Sequence, residues 1–236
     1  MPQSARNPKQ VFIPDFALED QHNGIVCGID EVGRGPLAGP VVAACVIIPD
    51  HLRSLEFIPE IKDSKKLSLT KRNKLYELIT QHFPYAISEI SPKEIDEINI
   101  LQASLKAMEQ AFLSVSSRAK SRDLKKISPC ASLSRNDTFF ALIDGNKIPA
   151  NLPCPAKAVV KGDSKSVSIA AASIIAKVHR DILMTKLALE FPHYGWERNA
   201  GYPTKDHIAA LETHGITPHH RKSFAPVRRI LESSNI

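Results

Sequence analysis

The chain has 236 residues, 43% of them hydrophobic, and carries 31 Lys and Arg against 25 Asp and Glu for a formal charge of +6. That length and apolar content suit one sizeable core and exclude disorder throughout, while the positive balance favours an anionic partner. The longest apolar stretches, Val41 to Ile48 and Val167 to Ala176, are too short to span a bilayer, and Met1 to Gln10 has no apolar signal core, so a cytoplasmic protein is expected. Cys27, Cys45, Cys130 and Cys154 form no C-x-x-C pair, which predicts neither a zinc site nor a disulfide framework.

In chain order, residues 1–23 read as an N-terminal extension and residues 24–236 as one domain. Ile25 to Ile29 is a β-prone run that stops at an acidic pair, Asp30-Glu31, where the turn VGRGPLAGP begins; Val41 to Ile48 is the next strand. After KDSKKLS, a helix is predicted from Thr70, with Leu75, Leu78, Ile79 and Phe83 on its core face. Tyr85 to Ile90 alternates as a strand does. Ser91-Pro92-Lys93-Glu94 then supplies an N-cap serine, a proline at the first helical position and a capping-box glutamate. That helix should break near Asn99 and resume with the core stripe Leu101, Leu105, Met108 and Phe112.

Ser114 to Asp137, rich in serine and basic residues, reads as a surface loop. Thr138 to Ile143 is a buried strand ended by Asp144-Gly145-Asn146, and Ala156 to Val160 is a shorter one. Lys161 to Lys165 forms a polar turn before a long helix from Val167 to Glu190, and further helices are predicted over Thr204 to His214 and Pro226 to Leu231. Interspersed strands and helices with a hairpin-like start predict an α/β fold with a mixed β-sheet flanked by helices. Sites in such sheets gather beyond the strand ends.

Asp30 and Glu31, beside Arg34 and flexible glycine backbone, suit a divalent ion and a phosphate-containing substrate. Consecutive strand residues face opposite ways, so the pair can share one ion only if the strand ends there and the backbone turns. Asp144 is the natural third ligand and Asp163 the fourth; four oxygen donors suit Mg2+ or Mn2+, not zinc. Asp181 competes for the fourth role, but Lys177 one helical turn earlier offers it an ion pair, and Asp163 is preferred.

The motifs GIDEVGRGPLAGPVVAA, KDSKKLS, EIDEINIL, LIDGN, VVKGDSKS, IAAASIIAKVHRD, GYPT and HHRKSFAPV, spread from about Ile25 to Leu231, resemble the bacterial ribonuclease HII, or type 2 ribonuclease H, family. The resemblance implies a ribonuclease H-like fold with a C-terminal helical portion. It implies endonucleolytic attack on RNA in RNA–DNA hybrids and at ribonucleotides embedded in duplex DNA, with a part in ribonucleotide excision during DNA replication and repair. Asp30, Glu31, Asp144 and Asp163 would be the catalytic metal-site residues in a two-metal-ion, in-line hydrolysis that leaves 5′-phosphate and 3′-hydroxyl ends. Gly33, Arg34 and Gly35 are suited to the 2′-hydroxyl because glycines allow close backbone approach, and Tyr202 matches the family's tyrosine at the ribonucleotide–deoxyribonucleotide junction. Ser64, Lys65 and Lys165 are candidate phosphate contacts.

His219-His220 invites reading as a metal pair, but adjacent histidines rarely converge on one ion and His220-Arg221 fits the family's basic C-terminal motif, so no histidine ligand is expected. The 114–137 loop is longer and more basic than is usual in the family, so trimming Arg118 to Lys126 should weaken substrate affinity and flatten its salt dependence. A monomer suffices for such an enzyme. Two rivals are a DNA-directed nuclease with the same acidic chemistry and a noncatalytic basic nucleic-acid-binding module. Arg34 and Tyr202 argue against the first, and the four acidic residues, purposeless and repulsive to phosphate in such a module, against the second.

Overall fold

The structure is a computed structural model that describes residues 13–120 and 138–233. Strands β1 (Ile25–Val32), β2 (Val41–Ile47), β3 (Tyr85–Ile90), β4 (Phe139–Asp144) and β5 (Ala156–Val159) form a sheet in the order β3-β2-β1-β4-β5. The β1–β2 and β2–β3 pairs are antiparallel, and the β1–β4 and β4–β5 pairs are parallel, as a mixed sheet requires.

Helices cover both faces. On one, α2 (Pro92–Lys120) packs Ile95, Ala103, Ala107, Met108, Ala111, Phe112 and Val115 against Cys27, Ile29, Val41, Ala43 and Cys45. On the other, α1 (Leu69–His82) and α3 (Val167–Glu190) enclose Val42, Ala44 and Val46 with Leu75, Ile79 and the small residues Ala170 to Ala172. The alternation along β2, odd positions to one layer and even to the other, is the period-two signature of a strand buried on both faces. Helices α4 (Trp196–Asn199), α5 (Lys205–His214) and α6 (Ala225–Ser233) close the C-terminal part around Trp196, Leu211 and Val227.

Local signals act where expected. Ser68, Ser91 and Thr204 each accept a backbone N–H of the helix they precede. Asn99 sits at φ 65°, and its Oδ1 accepts from Leu101 N and Gln102 N, so the break in α2 is also a fresh N-cap.

Two expectations need correction. Strand β1 does not stop before the acidic pair: Asp30 pairs with Ala44 and Glu31 with Ala43, and the ladder runs on to Val32. The small partners on β2 leave both carboxylates room without bending the chain. Nor does the loop begin at Ser114, because α2 runs through Lys120, holding Val115 and Ser116 buried while Ser116 and Ser117 donate their hydroxyls to Leu113 O. A serine-rich composition was outweighed by one buried face. The remainder of that loop, residues 121–137, lies outside the described residues. The described part of the N-terminal extension, residues 13–23, lies against the domain: Phe16 and Leu18 pack on the core, and Asp15 bridges to Ser166.

Candidate active site

The parallel register of β1 and β4 builds the site. Ile29 pairs with Ile143, so the next residues on the two strands, Asp30 and Asp144, stand side by side where β4 ends. Alternation sends Asp30 to the α3 face, the side of Val26 and Gly28, and Glu31 to the α2 face, the side of Ile29. They meet because Asp30 Oδ1 folds back to accept Glu31 N at 2.7 Å, and glutamate has one more methylene with which to return. One carboxylate oxygen from each of Asp30, Glu31 and Asp144 lies within 4.8 Å of the others.

These groups open into a cavity of about 420 Å³ lined also by Gly33, Arg34, Gly35, Ser64, Lys65, Asp163 and Tyr202, with Val32, Ser173 and Lys177. Asp163 comes from the single 3-10 turn Gly162–Ser164 before α3; it shares the cavity without joining the close trio. That turn is tied to the cluster, since Gly162 N donates to Asp144 Oδ1 at 2.7 Å. Lys165 is exposed and is not among the lining residues. Asp181 is engaged elsewhere, accepting from Lys177 Nζ at 2.6 Å with Arg72 at 3.6 Å. His220 is hydrogen-bonded inside the C-terminal core, and the acidic trio is the metal-type cluster among the described residues.

The electrostatics of the cavity are unbalanced. Burial, then the charges of Glu31, Asp144 and Asp163, push the Asp30 carboxyl far above the usual range. Burial likewise lifts Glu31 to about 7, with Asp144 adding and Arg34, 3.4 Å away, opposing. Asp163 is raised by burial, Asp63 and Asp144, against Ser164 and Lys65. Lys177 is already paired and Arg34 is half-exposed, so the protein's own cations do not neutralise the cluster. An all-oxygen donor set with surplus buried negative charge fits hard divalent cations.

Two residues that sequence reasoning passed over hold the glycine-rich turn. Arg180 on α3 donates to Pro40 O, Ala200 O and Ala38 O; Arg221 donates to Gly39 O, Arg34 O and Gly33 O. Both are buried, and burial lowers their pKa values to about 10 and about 9. Since Ala200 immediately precedes Gly201-Tyr202, Arg180 also joins the turn to the segment bearing Tyr202. A lone arginine in a helix or a basic motif carries no local sign of such a task. Ser173 was equally silent, and Lys177 was read only as the partner of Asp181.

The family model described as Ribonuclease HII matches residues 27–227. The chain is 50% identical over 223 residues to the Ribonuclease HII of Ruegeria pomeroyi, covering 92% of this chain and 85% of that one. To the Ribonuclease HII of Paramagnetospirillum magneticum it is 50% identical over 219 residues, 93% and 99% of the two chains. Among solved structures, the ribonuclease H2 of Pyrococcus horikoshii OT3 superposes with a TM-score of 0.66 at 25% identity over 89% of this chain and 99% of that one. The ribonuclease HII of Archaeoglobus fulgidus, solved in complex with PCNA, gives 0.62 at 27% identity over 84% and 93%.

Proposed function

The chain belongs to the ribonuclease HII family, and from that membership we propose that the acidic cavity is the catalytic centre of a metal-dependent endoribonuclease. The protein hydrolyses the RNA strand of RNA–DNA hybrids and cuts at ribonucleotides embedded in duplex DNA. The observation that carries the placement of the centre is the convergence of Asp30, Glu31 and Asp144 from two adjacent strands to within 4.8 Å. Asp163, across the same cavity, completes the set that holds Mg2+ or Mn2+. When bound, such ions offset charge on the phosphoryl oxygens and lower the pKa of water, the chemistry of an in-line hydrolysis that leaves 5′-phosphate and 3′-hydroxyl ends.

The remaining lining residues bind and orient. The carbonyls of Gly33 and Arg34 are held by Arg221, which presents the Gly33–Gly35 backbone to a 2′-hydroxyl in a fixed geometry. Tyr202 packs beside Gly35, its ring 3.2 Å from where a Cβ on Gly35 would be, so the ring and the Gly33–Gly35 backbone form one continuous surface on which the junction sugar rests. Ser64 and Lys65 contact the flanking phosphates, and the exposed Lys165 contacts the backbone farther along the strand. We read residues 24–236 as one catalytic unit acting as a monomer in the cytoplasm, where ribonucleotide-containing DNA would be found.

The test compares an RNA–DNA hybrid, a duplex with one ribonucleotide and the same duplex in all-DNA form. The hybrid and the single-ribonucleotide duplex are cut, the all-DNA duplex is not, and Asp30→Asn abolishes cutting while keeping duplex binding. Equal cutting of all-DNA duplex would establish the DNA-directed alternative instead.

A further inference from the structure

Glu19 is buried, 2% exposed, in the segment ahead of β1, more than a hundred residues from Asp144 and Asp163 in sequence. Its Oε1 accepts three hydrogen bonds: from Ser166 Oγ at 2.7 Å, Ser168 Oγ at 2.7 Å and Ser168 N at 3.0 Å. Ser166 is the N-cap of α3, accepting Ile169 N at 3.2 Å, and its own amide donates to Gly162 O at 2.8 Å. One carboxylate oxygen thus fixes the first turn of α3 and the closing residue of the Gly162–Ser164 turn.

That turn supplies two parts of the acidic centre. It carries Asp163, and its Gly162 amide orients Asp144 Oδ1. The chain around Glu19 grips the same base from a second direction: Asp15 N donates to Lys165 O at 3.3 Å, and Val167 N donates to Asp15 O at 3.2 Å. Arg53 in turn holds the segment, paired with Asp20 and lying 4.5 Å over the Phe16 ring. On its inner side α3 cannot yield, because Gly28 of β1 lies so close that a Cβ there would fall 2.1 Å from Ser168 C. The end of α3 is therefore clamped between β1 and the N-terminal segment.

We propose that Glu19 is a positioning residue for the catalytic centre: through Ser166 and Ser168 it sets the turn that places Asp163 and orients Asp144 for metal binding. This rests on reading the acidic cavity as the metal site. The role is geometric and depends on an acceptor at the Oε1 position. The other oxygen, Oε2, is buried without a partner among the described residues, so exchanging it for an amide nitrogen removes none of the bonds to the turn.

Two substitutions separate geometry from charge. Glu19→Gln keeps the acceptor in place and loses the charge; Glu19→Asp keeps the charge and withdraws the acceptor by one methylene. Mn2+ binding to the substrate-free protein, read from the free-ion paramagnetic resonance signal, should be near wild type for Glu19→Gln and about 10-fold weaker for Glu19→Asp, the low end for disturbing groups that orient metal ligands. Duplex binding in chelator should be unchanged in both. Wild-type affinity in a folded Glu19→Asp protein, or loss in Glu19→Gln with retention in Glu19→Asp, overturns the proposal. If Glu19→Asp does not fold, Ser166→Ala, which removes one hydroxyl link, should weaken Mn2+ severalfold, and unchanged affinity there overturns it as well. Asp30→Asn serves as the reference: Mn2+ binding that survives it sinks the metal-site reading and this proposal together, whereas binding lost in Asp30→Asn and kept in Glu19→Asp sinks the positioning role alone.

Discussion

A Cβ on Gly33 would stand 2.3 Å from Arg180 Nε, so the turn after the acidic pair rests directly on a buried guanidinium. Gly33 also has φ +92°, a conformation that costs a side-chain-bearing residue about 1–3 kcal/mol. Arg180 cannot retreat without giving up Pro40 O, Ala200 O and Ala38 O. Gly33→Ala should therefore lower the melting temperature by several degrees and cut cleavage at a single ribonucleotide more than 10-fold. Calorimetry and cleavage kinetics on the same preparation check both.

The acidic centre is a source of instability when no cation is bound. Glu31 titrates near 7 in the folded chain against an ordinary 4.5, so between those values the folded state holds more protons than the unfolded one. Stability of the metal-free protein must then fall as pH rises through that window. Asp30→Asn should relieve the repulsion and raise the metal-free stability by ~0.5–2 kcal/mol while abolishing activity, the usual exchange at a strained functional site. Because cations displace protons there, the stabilisation by Mn2+ should grow between about pH 6 and pH 8 in the wild type and be largely lost in Asp30→Asn. Melting curves with and without Mn2+ across that range test the sign.

Much of this centre was legible because its parts are local. A strand followed by an aspartate, a glycine-rich turn and a capped helix each declare themselves within a few residues, and Asp30, Glu31, Asp144 and Asp163 do line one cavity. What remained hidden depends on partners distant in sequence. The continuation of β1 through Glu31 needs Ala43 and Ala44 across the ladder, and the helix past Ser114 needs a core to receive Val115. Arg180, Arg221 and Glu19 act on backbone or serines more than a hundred residues away, and no spacing rule connects them. Lys165 had the composition of a phosphate contact but is not among the residues lining the acidic cavity, because residues two apart in a tight turn, such as Asp163 and Lys165, need not share a face.

The histidines of the C-terminal part predict an acid sensitivity. Trp196 Nε1 donates to His207 Nε2, which lies 3.1 Å from His220 Nε2, while Thr217 N donates to His220 Nδ1 and His207 Nδ1 faces Tyr202 O. The pattern is satisfied when both rings are neutral, His207 protonated at Nδ1 and His220 at Nε2; a second proton on His220 would face the Thr217 amide. Burial, with His207 and His219 nearby, holds His220 down to about 3 from 6.5. Across that interval the unfolded chain binds the extra proton, so the stabilisation is complete above 6.5 and is lost as pH falls, at up to about 1.4 kcal/mol per pH unit. His220→Gln should be less stable at neutral pH yet show a shallower loss between about pH 6.5 and pH 4, measured by urea unfolding at each pH.

Tyr202 allows ribose reading to be separated from folding. It is 44% exposed, so replacing it should change stability by no more than ~0.5 kcal/mol. Its backbone is held by Tyr202 N donating to Asn199 O and by His207 at its carbonyl, which fixes the ring's origin whatever the side chain does. Tyr202→Ala removes the ring that packs beside Gly35 and supports the junction sugar, and if that contact is worth about as much as an aromatic–base stack, about 1–3 kcal/mol, cleavage at an isolated ribonucleotide should drop ~5–150-fold. Tyr202→Phe keeps the ring and forfeits one hydrogen bond, about 1 kcal/mol, or roughly fivefold. On a continuous hybrid, where neighbouring riboses supply further contacts, both losses should shrink. Equal losses on the two substrates would mean that the ring supports the turn and does not read the junction.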